Sequence, residues 1–243
     1  MKSLLIYLSP SKSFNEEHHI LIKIQIDNSL RLGWKKNDIL LFTNFDYEYN
    51  GVKAFQVGSD NYFPPSPLSI KAIIVSYILE HGMIEKDELY WAHDFDAYQL
   101  ETIVPSELGL ETVDAGFTTY GYSNKWSLGS FFFKERAKDI FKLLKETMYK
   151  YETDEERALV RLTNDNVENI NTRYKKLNIT YNLGMRNVAF NYEQADKPLK
   201  VIHFHPWNKG GWVLQNFMYG KNEMGIPLMT HELIEIFNHH GIK

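Results

Sequence analysis

Two stretches of the chain hold the residue types from which a metal site is built. In ELYWAHDFD (88–96) an apolar run leads into Asp94 and Asp96, with His93 before them and Phe95 between. Residues two apart on extended chain project to the same side, so both carboxylates can converge on one point. Anions held that close repel unless a cation lies between them. A hard divalent ion, Mg²⁺ or Mn²⁺, accepts such oxygens together with the phosphates of a nucleotide. A bare D-x-D also fits a solvated turn or a helix cap, and its place after a buried strand is what argues for chemistry. In VIHFHPWNKGGW (201–212), His203 and His205 are again two apart at the end of an apolar run. Imidazole can complete a carboxylate site for a transition metal. Lys209 and the glycines after it offer a cation and accessible amides to phosphate.

These residues need elements to position them. SLLIYL (3–8), DILLFTN (38–44) and VKAFQV (52–57) are short β-type runs bounded by polar or turn residues. Between the first two, residues 15–33 form a helical pattern. Asn15 can cap it, Ile22, Ile26 and Leu30 share a face, and Gly33 can end it. The proline loop 63–68 precedes a helix over 69–82, and the D-x-D strand follows. This β-α-β-β-α-β order predicts an α/β/α sandwich with a mostly parallel central sheet. Further on come a strand at 130–133, helices over 134–151 and 153–165 (Thr153 capping the second), a strand at 199–205 and a last helix over 230–241.

Composition narrows the classes. The 243 residues suit one large domain or two small ones sharing a core. With no cysteine, disulfides and thiolate metal sites are excluded. A net charge of −4 and the lack of a basic run give no support to nucleic-acid binding. No apolar stretch reaches the roughly 18–20 residues of a membrane span, and the N-terminus reads as a first strand with no cleavage site. Arginine supplies only 6 of the 27 basic residues. Such lysine-rich usage suits an AT-rich genome, viral or bacterial, and the absence of cysteine is compatible with a cytoplasmic setting, in a bacterium or a virus-infected host cell. HELIE (231–235) is not the H-E-x-x-H zinc pattern, because glutamate stands last.

Four segments, in order, resemble the GT-A glycosyltransferases, nearest in pattern to the glycogenin and lipopolysaccharide-galactosyltransferase group. They are DELYWAHDFD (87–96), KWSLGSFFFKERAKDIFKLL (125–144), DEERAL (154–159) with KKLNITYNLG (175–184), and VIHFHPWNKGGW, where His203 and Lys209 are six apart. The chain departs from the family pattern at His93, Phe95, Pro206 and Gly210-Gly211.

The resemblance implies a GT-A-type, Rossmann-like single domain over 1–243. About 1–105 would form a nucleotide-sugar-binding half and about 106–243 an acceptor-binding half ending in a helix. It implies Mn²⁺ or Mg²⁺ held by Asp94, Asp96 and His203, and a nucleotide-sugar donor, UDP-sugar favoured. Leu8, Ser9 and Pro10 would contact the nucleoside, while Lys71 and Lys209 would reach the diphosphate. Trp126, Ser127 and Gly129 would line an acceptor cleft for a glycan, a lipid-linked sugar, a protein or a modified DNA base. Asp154 and Glu155 would contact the transferred sugar or take the acceptor proton. The residues alone also allow Lys71 as a solvated first-turn lysine and Asp154 and Glu155 as acids complementing a helix dipole. Two other readings remain open on the same residues. One is a metal-dependent phosphoester hydrolase using His93, Asp94, Asp96, His203 and His205; the other is a non-catalytic nucleotide- or sugar-binding module.

Overall fold

The first strand, β1 (Lys2–Tyr7), is buried along both faces, as a central strand of a mostly parallel sheet must be. Leu4 and Ile6 pack into one core layer and Leu5 into the other. Each fully buried leucine contributes about 1.5–3 kcal/mol relative to an exposed one. In this computed structural model, which describes residues 1–66, 69–207 and 212–243 (Trp212 by its backbone), β1 is followed by α1 (Glu16–Arg31). The Asn15 side chain caps α1 by accepting from the His18 amide at 2.8 Å. Gly33, at φ +90°, takes the left-handed conformation just beyond its end.

Then come β2 (Ile39–Thr43), the short β3 (Glu48–Tyr49), β4 (Val52–Gln56), α2 (Ile70–Glu80) and β5 (Tyr90–His93). β2 and β5 flank β1 in parallel, and β4 lies parallel outside β2. β6 (Ala97–Gln99) leaves this sheet altogether, while β7 (Ala115–Thr119) and β8 (Trp126–Phe133) return to it. β8 runs antiparallel to both β5 and β7. The strand expected at 130–133 therefore starts four residues earlier, at Trp126, because all of its positions are buried between β5 and β7.

After α3 (Lys138–Tyr151) and α4 (Glu155–Asn164), β9 (Tyr174–Lys176) adds the last edge beside β7. α4 is capped by Asp154, which accepts from the Arg157 amide at 2.7 Å, and not by Thr153. β10 (Leu183–Gly184), α5 (Val188–Gln194), β11 (Val201–His203), α6 (Trp212–Tyr219) and α7 (His231–His239) complete the described elements.

The main sheet has the order β3-β4-β2-β1-β5-β8-β7-β9. A second sheet, β10-β11-β6, was not foreseen from sequence; it pairs β11 antiparallel to β6. α2 and α3 cover one face of the main sheet, where their apolar residues join Leu4, Ile6 and Phe131. α1, α7 and the small sheet cover the other face with Leu5, Leu41, Tyr98 and Phe237. Among the described residues, no helix is long and apolar enough to cross a membrane.

Candidate metal centre

β5 stops at His93 and β6 starts at Ala97, so Asp94, Phe95 and Asp96 form the link between the two sheets. This link emerges from the carboxyl end of a central strand, the usual ligand position in an open α/β sheet. The Ala97 amide donates to the Asp94 carbonyl at 3.1 Å and closes the turn. Pairing of β6 with β11 then sets Ala97 opposite His203 and lets the Phe204 amide donate to the Asp96 carbonyl at 2.9 Å. His203 Nε2 lies 3.2 Å from Asp96 Oδ1 and 3.6 Å from Asp94 Oδ2. One ligand atom from each of the three residues falls within 4.8 Å of the other two.

The surroundings fix which nitrogen of His203 faces the carboxylates. Asn182 is buried, and its Nδ2 donates to the Thr118 and Ser127 hydroxyls, both at 3.0 Å. Its Oδ1 is thereby turned to His203 Nδ1 at 3.1 Å, so Nδ1 carries the donated proton. Nε2 is left toward Asp94 and Asp96. A ligating histidine is oriented in this way, by a hydrogen bond on its other nitrogen. Two carboxylates and an available Nε2 can hold a divalent metal, and the donor set suits one.

Electrostatics agree. Burial opposes the charged imidazole of His203, but the Asp96 charge and hydrogen bond outweigh it and raise its pKa. For Asp96, burial is likewise outweighed by His203, and its carboxyl is held below the ordinary value. In the absence of a metal, a proton on His203 thus offsets part of the carboxylate charge, and a divalent cation would take that proton's place.

Other residues hold the link in place. From α1, Gln25 Nε2 donates to the carbonyls of Phe95 and Ala97 at 2.8 and 3.0 Å, and Asn28 Nδ2 to that of Gln99 at 2.8 Å. These bonds clamp the backbone on both sides of Asp96. Phe95 packs among Tyr7, Phe14 and His18. Gly129 O accepts from the Asp94 amide at 2.8 Å, and the His203 ring occupies the space a side chain at Gly129 would need.

Lys71 is no solvated lysine: its ammonium pairs with Asp94 and with Glu155 Oε1 at 3.2 Å, almost wholly out of water. Burial would lower its pKa, but the two acids more than reverse this. Glu155 is buried as well, and its Oε2 accepts from the Ala72 amide at 3.1 Å. Burial, assisted by Asp94 and opposed by Lys71, pushes its carboxyl up to about 7. Asp154 stands apart as the cap of α4, paired with Arg157 at 3.3 Å.

A cavity of about 380 Å³ opens over the cluster, with Leu8, Tyr7, His18, Lys71 and His205 on its walls. Of the first loop, Leu8 lines it; Ser9 is buried against Asn44, and Pro10 is exposed. Trp126 is buried with its Nε1 donating to Thr163 at 3.0 Å, and Ser127 is the hydroxyl beneath Asn182. Lys209 lies outside the described residues.

His93 is turned away from the cluster: it stacks on Trp91, bonds Ser3 Oγ at 3.0 Å, and burial holds it neutral with a pKa of about 3. His205 approaches Glu17 at 3.7 Å. The five-residue cluster required by the hydrolase reading is therefore not assembled.

No protein-family model and no curated protein sequence matches the chain. Solved structures do. The galactosyltransferase LgtC, in complex with donor and acceptor sugar analogs, superposes with a TM-score of 0.60 at 12% identity, over 99% of this chain and 95% of that one. The overall fold is that of a GT-A glycosyltransferase. A glycosyltransferase involved in glycosylation of the major capsid of PBCV-1 covers 84% of this chain and 93% of its own at 12% identity, with a TM-score of 0.52. The glycosyltransferase GlyE of Streptococcus pneumoniae matches all of this chain with 65% of its own, at 13% identity and a TM-score of 0.57. Within this GT-A frame, sequence reasoning located the three candidate ligands. It missed Asn182, Gln25 and Asn28; an amide facing a buried helix side was the only signal for the last two.

Proposed function

We propose that the chain is a metal-dependent glycosyltransferase that moves a sugar from a nucleotide-diphosphate-sugar, a UDP-sugar by preference, to a hydroxyl acceptor. The observation that carries this reading is the cluster of Asp94, Asp96 and His203 on the floor of a cavity at the carboxyl end of β5. In the reaction the bond from the sugar's anomeric carbon to the diphosphate oxygen breaks, and a bond to the acceptor oxygen forms. The acceptor's proton passes to a base or to solvent. Mn²⁺ or Mg²⁺ held by the three residues would supply charge neutralisation to the departing diphosphate.

The chain's own residues do the rest. Asp94 and Asp96 are held in place by Gln25, Gly129 and Lys71, so little reorganisation is needed when the donor arrives. Lys71 offsets part of the carboxylate charge and ties Asp94 to Glu155. Of the two acids first considered for proton transfer, Glu155 is the one joined to the cluster, through Lys71. We assign Asp154 to capping. Tyr7 and His18 line the cavity wall beside which the nucleoside would lie, backed by Phe95. The division into a donor half over about 1–105 and an acceptor half over about 106–243 accords with the cavity walls. The first cavity is lined mostly by residues before 97, and a second by residues between 120 and 186.

The test is a screen of nucleotide-sugars by thermal shift, with and without Mn²⁺, followed by turnover of whichever donor binds. A Mn²⁺-dependent UDP-sugar response that Asp96→Ala abolishes, with unchanged circular dichroism, is expected. Metal-dependent turnover that survives Asp96→Ala sinks the reading.

A further inference from the structure

A second cavity, of about 900 Å³, lies beyond the first turn of α4 from the metal cluster. Glu155 reaches Lys71 on one side of that turn, and its neighbour Glu156 lines the cavity on the other. Three of the chain's six arginines, Arg157, Arg161 and Arg186, line this one cavity together with Lys125, although the chain carries a net charge of −4.

The acids present pair with Arg157 and leave the other three cations without a carboxylate partner among the described residues. Asp154 is committed to the α4 cap and to Arg157. Glu156 accepts two contacts from the Tyr120 hydroxyl, at 2.9 and 2.8 Å, and one from the Leu128 amide at 3.1 Å. Among the described residues, no carboxylate lies within 4.0 Å of Lys125, Arg161 or Arg186, whereas Arg31, Arg136, Arg157 and Arg173 each have at least one. Arg161 is steadied over the Tyr151 ring at 4.2 Å, which fixes its plane and leaves its N–H edge to a ligand.

We infer that this cavity binds a phosphoryl group carried by the acceptor, with Arg161 and Arg186 as its principal contacts. Guanidinium groups match phosphate oxygens in a bidentate manner, and Tyr120 lines the same cavity beside the attached sugar. The volume admits a phosphorylated sugar with room for a further unit. The phosphate could be borne by a soluble glycan or by a lipid-linked sugar; the recognition chemistry is the same. Calling the ligand an acceptor rests on the transferase reading above; the anion site itself does not.

The test uses metal-free protein in EDTA, so that the carboxylate cluster cannot capture phosphate through a cation. Glucose 6-phosphate and glucose are titrated by calorimetry against the parent chain and against the double variant Arg161→Gln/Arg186→Gln, both exposed positions. The phosphorylated sugar is expected to bind at least about tenfold tighter than glucose, and the double variant to lose that advantage. Equal affinities for the two sugars, or a double variant that binds like the parent, overturn the inference. Phosphatidylcholine vesicles carrying a polyprenyl phosphate are then co-sedimented with both proteins. Retention by the parent alone assigns the phosphate to a lipid carrier, and no retention assigns it to a soluble glycan. Failure of this site would leave Mn²⁺-dependent donor turnover intact. Failure of the transferase reading would leave the phosphate binding in EDTA intact, and the two failures are thereby distinguishable.

Discussion

Replacing Gly129 with alanine would place a methyl group 2.2 Å from Cε1 and 2.4 Å from Nδ1 of His203, and 3.2 Å from Oδ2 of Asp94. The backbone at Gly129 is not in the left-handed region, so alanine costs nothing there and the effect is steric. Ordinary contact begins near 3.4 Å, and the imidazole must therefore retreat by about 1 Å. Retreat strains the Asn182 contact at Nδ1 and lengthens the 3.2 Å separation of Nε2 from Asp96. Overpacking of this kind costs about 1–3 kcal/mol of stability. Displacing an oriented ligand lowers metal affinity by about 10–100-fold, or about 1.4–2.8 kcal/mol. The assay is Mn²⁺ titration by calorimetry, paired with urea denaturation of the metal-free protein. If Gly129→Ala binds Mn²⁺ within about twofold of the parent, the ring is not held as described and the reasoning fails.

Three further outcomes are expected. Gln25→Leu strips two buried carbonyls of their donor, at about 1–3 kcal/mol each, and should lower Mn²⁺ affinity although residue 25 touches no ligand; unchanged affinity would show that the α1 clamp is idle. Lys71→Met leaves Glu155 buried without its cation, so urea denaturation should report a loss of about 3–5 kcal/mol, and Lys71→Met/Glu155→Gln should recover part of it; no loss would mean that the ion pair is not formed. The raised pKa of His203 means that the metal-free protein holds a proton there which a metal must displace. Mn²⁺ affinity should therefore be highest above that pKa and fall as pH drops through it, and a flat profile from pH 5 to 8 in the calorimeter would count against His203 as a ligand.

Reading the sequence reached the three candidate ligands because each stands at the end of a short apolar run, a local signal. The same locality explains what it did not reach. β6 is three residues of AYQ, with no periodicity to separate it from the D-x-D turn, and its identity as a strand depends on β11, a hundred residues away in sequence. The small sheet, and with it the reason His203 meets Asp96, was thus invisible. Asn182 sits in a stretch whose character comes from Thr118 and Ser127. Trp126 and Ser127 precede the apolar run at 130–133 that marked the strand, yet β8 includes them because neighbouring strands bury both its faces. Glu155 and Asp154 look alike as first-turn acids. Only the packing of α4 against the start of α2 separates a buried partner of Lys71 from a cap.

The joining of β6 to β11 also sets an order in time. Asp94 and Asp96 leave the ribosome well before His203, and the Phe204 amide that ties down Asp96 comes later still. A nascent chain without residues 201–204 has both carboxylates but no closed site. A cation that binds only the closed site favours the paired state by mass action, and so acts as a fastener on the pairing of β6 with β11. Competence for metal and closure of the small sheet become one event, and a chain without β11 holds its two aspartates open.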